Sequence, residues 1–191
     1  MIEWQSVGSQ HPKQYVCAYC GLNVGAHIGI YGQDRLERRP DLVYICPKCA
    51  KPTYFSAYGH QVPGPAPGNN VGHLPKDVQQ LYQEARVAAG AGAPTASVLA
   101  CRKLLMNIAV AHGAKAGESF AHYVTFLGDK GFVPPNGKGW VDHIRTKGNE
   151  ATHEIAVLTY DDATQLISFA EMLLKFIFEF PAKLPAAPTP P

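Results

Sequence analysis

The chain has 191 residues, 46% of them hydrophobic and 17% charged, with a formal charge of +2. That length suffices for a small module followed by a helical domain with a sizeable core. No apolar run is long enough to span a membrane, since the most apolar stretch, Leu173 to Phe180, is short and contains Lys175 and Glu179. The near balance of charge argues against nucleic-acid affinity that rests on bulk phosphate neutralisation.

Met1 to Gln10 has neither the basic start nor the apolar core of a secretion signal, so an intracellular, cytoplasmic chain with reduced thiols is expected. Cys17 and Cys20, then Cys46 and Cys49, form two CxxC pairs with 25 residues between them. Two tight knuckles at that spacing can present four thiolates to one ion in tetrahedral geometry, which predicts a structural Zn²⁺ site. The alternative is a pair of disulfides, which a reducing compartment disfavours. Gly21 follows the first pair, where a knuckle needs a permissive backbone. Short β-like runs at Tyr15-Val16, His27 to Tyr31, Val43 to Ile45 and Thr53 to Phe55 flank the knuckles. They predict a small β zinc ribbon over residues 1–58. With all four sulfurs on the metal no position is left for water, so such a site holds a fold and does not catalyse. His11, His27 and His60 read as surface residues. Residues 11–51 hold six Lys/Arg against three Asp/Glu, with Arg35, Arg38 and Arg39 clustered between the knuckles. That is a modest basic patch.

Residues 59–74 are dominated by Pro and Gly and read as an extended, semi-rigid linker. Residues 75–181 carry helical periodicity, and the Pro/Ala-rich tail over 182–191 reads as disordered. Helices are predicted over Asp77 to Ala89, Thr95 to His112 with Thr95 as cap, Ser119 to Asp129, Gly137 to Ile155, and from Asp161 or Asp162 to Phe180. Four or five such helices make a compact bundle. Cys101 falls on the apolar stripe of the second helix and is read as core.

The fourth predicted helix has an apolar face of Val141, Ile144, Gly148, Ala151 and Ile155. Arg145, Asn149 and His153, spaced by four, line a separate stripe. A guanidinium, an amide and an imidazole suit phosphate chemistry, because Arg grips phosphate through two hydrogen bonds and His exchanges a proton near neutral pH. The plainer reading is a solvated face. There Arg145 pairs with Asp142, Asn149 caps a helix broken at Gly148, and His153 lies at the surface.

The run Arg145-Thr146-Lys147-Gly148-Asn149-Glu150-Ala151-Thr152-His153, following a cysteine module, resembles a prokaryotic domain-of-unknown-function family of the HEPN-like superfamily. The resemblance also takes in Arg102, Leu127 with Gly131-Phe132-Val133-Pro134, Asp161-Asp162-Ala163 and the ending Phe178-Glu179-Phe180-Pro181. It implies an all-α HEPN-like helical bundle after the ribbon, often a homodimer through the motif-bearing helices, in proteins tied to restriction and defence systems. Active nucleases of the superfamily cut RNA without metal and leave a cyclic phosphate. Carried over, Arg145 would stabilise charge on phosphate, Asn149 would orient, and His153 would act as general acid and base. The seven residues between Arg145 and His153 exceed the spacing of typical nuclease motifs. Met106 also stands four residues after Arg102, where a glutamate is expected.

Two functions follow as expectations. One is a metal-independent endoribonuclease in a prokaryotic or phage-related defence system. The other is a non-catalytic module that binds nucleic acid, a nucleotide or a partner protein of a defence or regulatory assembly. Neither calls for a membrane.

Overall fold

The computed structural model describes residues 6–33, 40–133, 137, 139–144 and 158–184. These fall into two compact units, one within Met1–Ala66 together with Gly90–Gly92 and the other within Pro67–Ala89 and Ala93–Pro191.

The first unit is a five-stranded antiparallel meander: β1 (Gly8–Val16), β2 (Asn23–Gln33), β3 (Pro40–Ile45), β4 (Pro52–Phe55) and β5 (Gln61–Val62), paired in chain order. This corrects the expected fold class of a small β zinc ribbon and an all-α HEPN-like bundle. The sheet is wider than a ribbon, and its last strand lies beyond residue 58, inside the stretch read as linker. The extra strand length was hidden because β1 and β2 carry four Gly and one Pro between them, residues whose propensity for strands is low. Their pairing comes from partners across the sheet. Between Ser9 and Lys13 the β1–β2 register slips, at the point where Pro12 has no N–H to give to the ladder.

The sheet curls on itself. Tyr15 on β1 meets Phe55 on β4 edge-to-face at 5.1 Å between ring centroids, although the two strands are not neighbours in the sheet. Gln61 Nε2 donates to the Val16 carbonyl at 2.8 Å, and Tyr44 Oη donates to the His11 carbonyl at 2.7 Å. The enclosed core is small: Tyr15, Val24, Ala26, Tyr44 and Phe55, with Cys17 and Cys46.

The second unit is helical: α1 (Lys76–Gly90), α2 (Pro94–Ala111), α3 (Phe120–Asp129), α4 (helical over 139–144), α5 (Tyr160–Leu174), a π-helical turn (Lys175–Glu179) and α6 (Phe180–Lys183). No helix among the described residues is long and apolar enough to cross a membrane. The buried stripes of α2 and α5 face each other, with Val98, Cys101, Leu105 and Ile108 on one and Leu166, Phe169, Ala170 and Leu173 on the other. Trp140 packs edge-to-face on Phe169 at 5.5 Å.

Helix starts depart from the expected caps. Pro94 opens α2 at its first turn, one residue before the predicted Thr95 cap, and there is no side-chain cap. Proline is suited to that position because its missing N–H would have no helical partner. Thr159, not Asp161 or Asp162, caps α5. Its hydroxyl accepts from Asp162 N at 3.2 Å while Asp162 Oδ2 accepts from Thr159 N at 2.9 Å, a reciprocal capping box.

The segment over 67–72 is tied to these helices by a polar network. Glu171, 8% exposed, accepts from Asn69 N at 2.7 Å, from Asn69 Nδ2 at 3.0 Å and from Lys175 Nζ. Buried Arg86 donates to the carbonyls of Pro67 and Gly68, both at 2.8 Å, and to Asn70 Oδ1 at 2.7 Å. Gly72 N donates to Glu179 Oε2 at 2.8 Å. Each buried charge is therefore matched by donors or acceptors of the segment, as burial requires.

Gly68 sits at φ +73, and a Cβ there would come within 2.8 Å of Ile167 Cγ2 and 3.0 Å of both Glu171 Oε2 and Tyr82 Oη. Gly68→Ala is expected to lower stability by about 2 kcal/mol in urea denaturation, from backbone strain and displacement of this network. A second expectation concerns acid. Burial raises the Glu171 pKa, but the Lys175 ammonium and the Asn69 N–H groups outweigh it, so the net shift is downward. A carboxyl with a depressed folded pKa stabilises fully above its unfolded value, about 4.3 for Glu, and loses that contribution as pH falls through the folded value. Glu171→Gln should therefore cost about 2 kcal/mol at pH 7. The gap from the unmodified protein should close as the pH drops well below 4, which denaturation curves across pH will read out.

A four-cysteine cluster as the candidate functional site

Two turns of the same construction bring the predicted cysteines together. In the first, between β1 and β2, Gly21 N donates to the Cys17 carbonyl at 2.8 Å and Cys17 N to the Leu22 carbonyl at 2.9 Å. In the second, between β3 and β4, Ala50 N donates to the Cys46 carbonyl at 2.9 Å and Cys46 N to the Lys51 carbonyl at 3.0 Å. The residue after each second cysteine adopts the left-handed conformation, Gly21 at φ 69 and Ala50 at φ 57. The permissive backbone expected at Gly21 is used there, and Ala50 adopts the same conformation with a side chain.

All four Sγ atoms lie within 4.8 Å of one another. Cys17 Sγ to Cys49 Sγ is 3.7 Å and Cys20 Sγ to Cys46 Sγ is 3.9 Å, each joining one turn to the other. A tetrahedral thiolate site with metal–sulfur bonds of about 2.3 Å has an edge of about 3.8 Å, so the spacing suits a metal ion. Cys17 and Cys46 are buried, and Cys20 and Cys49 are half-buried. Burial pushes the Cys17 thiol up, to about 12. Burial also acts on Cys46, but the backbone N–H groups of Cys49 and Lys48 outweigh it and bring that thiol down to about 7. Four thiolates this close would repel one another. A divalent cation removes that repulsion, which is how this donor set would hold one. Among the described residues no histidine or carboxylate joins the cluster. Cys101 is fully buried in the helical core, where burial raises its thiol to about 12.

Arg145, Asn149 and His153 lie outside the described residues, as does the Arg35–Arg39 cluster. The helix predicted to carry the three is described only over 139–144, where Val141 and Ile144 are buried as the apolar face requires. Arg102, the other residue of the resemblance, lays its guanidinium 4.4 Å from the Phe120 ring centroid, with Nη1 buried.

Sequence reasoning passed over one surface feature of the first unit. Tyr19, Tyr31, Tyr54 and Tyr58 all stand exposed, the last at 70%. Tyr54 pairs across the strands with Val43 and Val62, and Val43 with Ile30, so a row of apolar side chains crosses four strands on one face. The signal was present as a density of tyrosine among polar and glycine residues, but only strand register shows which side chains share a face.

Comparison with known proteins gives the family. The family described as "Domain of unknown function (DUF4145)" matches residues 83–187, more than half of the chain, and the protein belongs to it. The match carries neither a superfamily nor a zinc ribbon, and the cysteine cluster lies outside the matched span. No curated protein and no solved structure matches the chain.

The cluster predicts a thiol-reactivity pattern. With a thiophilic divalent metal bound, all five cysteines of the native protein should resist an aromatic disulfide reagent. Chelation should expose Cys17, Cys20, Cys46 and Cys49, while Cys101 should react only in denaturant. Fast reaction of Cys101 in the native protein would contradict the placement of that side chain.

Proposed function

We propose that this protein is a binding module stabilised by structural zinc and directed at RNA through its sheet unit. The observation that carries the reading is the set of exposed tyrosines on that unit: Tyr54 on one face of the sheet, Tyr31 on the other, and Tyr19 and Tyr58 in turns. They stand within residues 11–58, which hold six Lys/Arg against three Asp/Glu. Single-stranded RNA is recognised chiefly by stacking unpaired bases on aromatic rings, with cationic side chains tracking the backbone. Duplex nucleic acid hides its bases and would leave such rings unused.

Zinc is the metal this donor set favours, since four thiolates in a tetrahedral arrangement suit it and its role there is structural. When bound it supplies a cross-link between the two turns. Its coordination is filled by protein sulfur, so it offers substrate no open position. Cys17, Cys20, Cys46 and Cys49 would hold it, and the core around them is too small to order the sheet without help.

A second reading has its own support. The spacing of Arg145, Asn149 and His153 and the family resemblance favour a metal-independent endoribonuclease, with Arg145 on the phosphate, Asn149 orienting and His153 moving the proton. Both readings place the protein on RNA and differ in whether the RNA is cut.

One experiment separates them. Zinc-loaded protein is incubated with labelled single-stranded and structured RNAs without added magnesium, and both binding and cleavage are followed. Binding without cleavage, weakened about tenfold by Tyr31→Ala or Tyr58→Ala, is the expected result. Cleavage that disappears in His153→Ala and leaves cyclic-phosphate ends would transfer the conclusion to the nuclease. Tyrosine variants that bind as the unmodified protein does would sink the stacking reading. Metal analysis of the same preparation should return one zinc per chain, and Co²⁺ exchange should give thiolate charge-transfer and tetrahedral visible bands.

A further inference from the structure

Helix α2 is apolar on two opposite sides. One side carries Val98, Cys101, Leu105 and Ile108 and is buried in the helical core. At 3.6 residues per turn, Leu99, Lys103, Met106 and Val110 share a stripe on the other side. Leu99 is 47% exposed and Val110 40%, and Met106 is half-buried. A helix that is apolar all round is ordinarily covered on both sides. Beside this stripe runs a groove of about 640 Å³, with Val78 and Phe178 among its apolar walls.

The groove is also lined by Asp77, from the first turn of α1, and by Lys103. Both are exposed, and neither takes part in the ion pairs of the described residues, which are Lys115–Glu118, Lys175–Glu171 and Lys183–Glu179. The groove is thus lined by one cation and one anion that make no ion pair among the described residues. That combination is self-complementary under a two-fold axis, where a surface meets its own copy and residue i faces residue j in both directions. The helical half does not oppose self-association through net charge, since residues 74–183 hold eleven Lys/Arg and eleven Asp/Glu.

We infer that a second copy of this chain docks on the outer face of α2. Leu99, Met106 and Val110 of each copy are covered at the centre, and Asp77 of each copy pairs with Lys103 of the other at the edge. The residues invoked, Asp77, Leu99, Lys103, Met106 and Val110, lie outside the motif-bearing segment to which the family resemblance assigns a dimer interface. Docking there does not depend on whether RNA is bound or cut.

The test is the mass of the full-length, zinc-loaded protein in solution, by light scattering across a concentration series. A dimer is expected, with Val110→Glu shifting it to monomer. Asp77→Lys and Lys103→Asp should each raise the dimer dissociation constant by about tenfold, because each sets like charges opposite one another at both symmetric positions. The double reversal should restore association to near that of the unmodified protein. A monomer at every concentration overturns the inference, as does a dimer that Val110→Glu leaves intact. Should Val110→Glu misfold by circular dichroism, the exposed-charge pair decides alone, since failure of the double reversal to rescue would equally overturn it.

Discussion

The meeting of four sulfur atoms from two turns is the constraint on which the first unit depends. One turn closes the β1–β2 hairpin and the other closes β3–β4, so bringing their cysteines together ties two hairpins at one point. Among the described residues the remaining buried core is three aromatic rings, a valine and an alanine. Hydrophobic burial on that scale offsets little of the entropy lost on ordering some fifty residues, and small modules of this kind rely on a covalent or metal cross-link. The curl of the sheet follows from the same point. With the knuckle ends drawn together, Tyr15 lies on Phe55 and Gln61 reaches Val16.

The second unit rests on a different balance. Its core is large enough to stand on apolar packing, with α2 against α5 and α3. Its polar network does something packing alone does not: it specifies where the chain over 67–72 lies. Glu171 and Arg86 are charged and buried, and a displaced strap would strip Glu171 of its Asn69 donors and Arg86 of its Pro67, Gly68 and Asn70 acceptors in a low-dielectric setting. Gly68 belongs to the same arrangement, because no side chain fits between Ile167, Glu171 and Tyr82. The network thus trades the ambiguity of a Pro/Gly-rich segment for one defined path.

The two units also divide the chemistry. In the proposed reading the sulfur of the first unit holds shape, which leaves its exposed aromatic side chains for recognition. The polar residues of the family-matched span, Arg145, Asn149 and His153, are of the kind that acts on phosphate. In the proposed reading the sheet selects RNA, and the family domain decides what happens to it. Self-association through α2 would place two copies of both surfaces in one particle, raising the effective concentration of each for a long substrate.

Much of this was legible from residue spacing. The CxxC pairs announced the four-sulfur cluster, because a turn of fixed length sets where two side chains point. The strictly periodic helices were likewise legible, as was Cys101 in the core, since apolar residues at three- and four-residue intervals bury one face whatever they pack against. What the linear order left open was decided by contacts between residues far apart. The strand beyond the expected ribbon, β5, is only two residues long and exists through pairing with β4. The strap over 67–72 reads as linker until Glu171, about a hundred residues on, accepts its N–H groups. The outer stripe of α2 is also largely apolar, with Leu99, Met106 and Val110 beside Lys103, and the packing of α3 and α5 shows which stripe is left facing outward. Local chemistry is written in adjacent residues. Which face is buried, and which charge is left unpaired, depends on what the folded chain brings alongside.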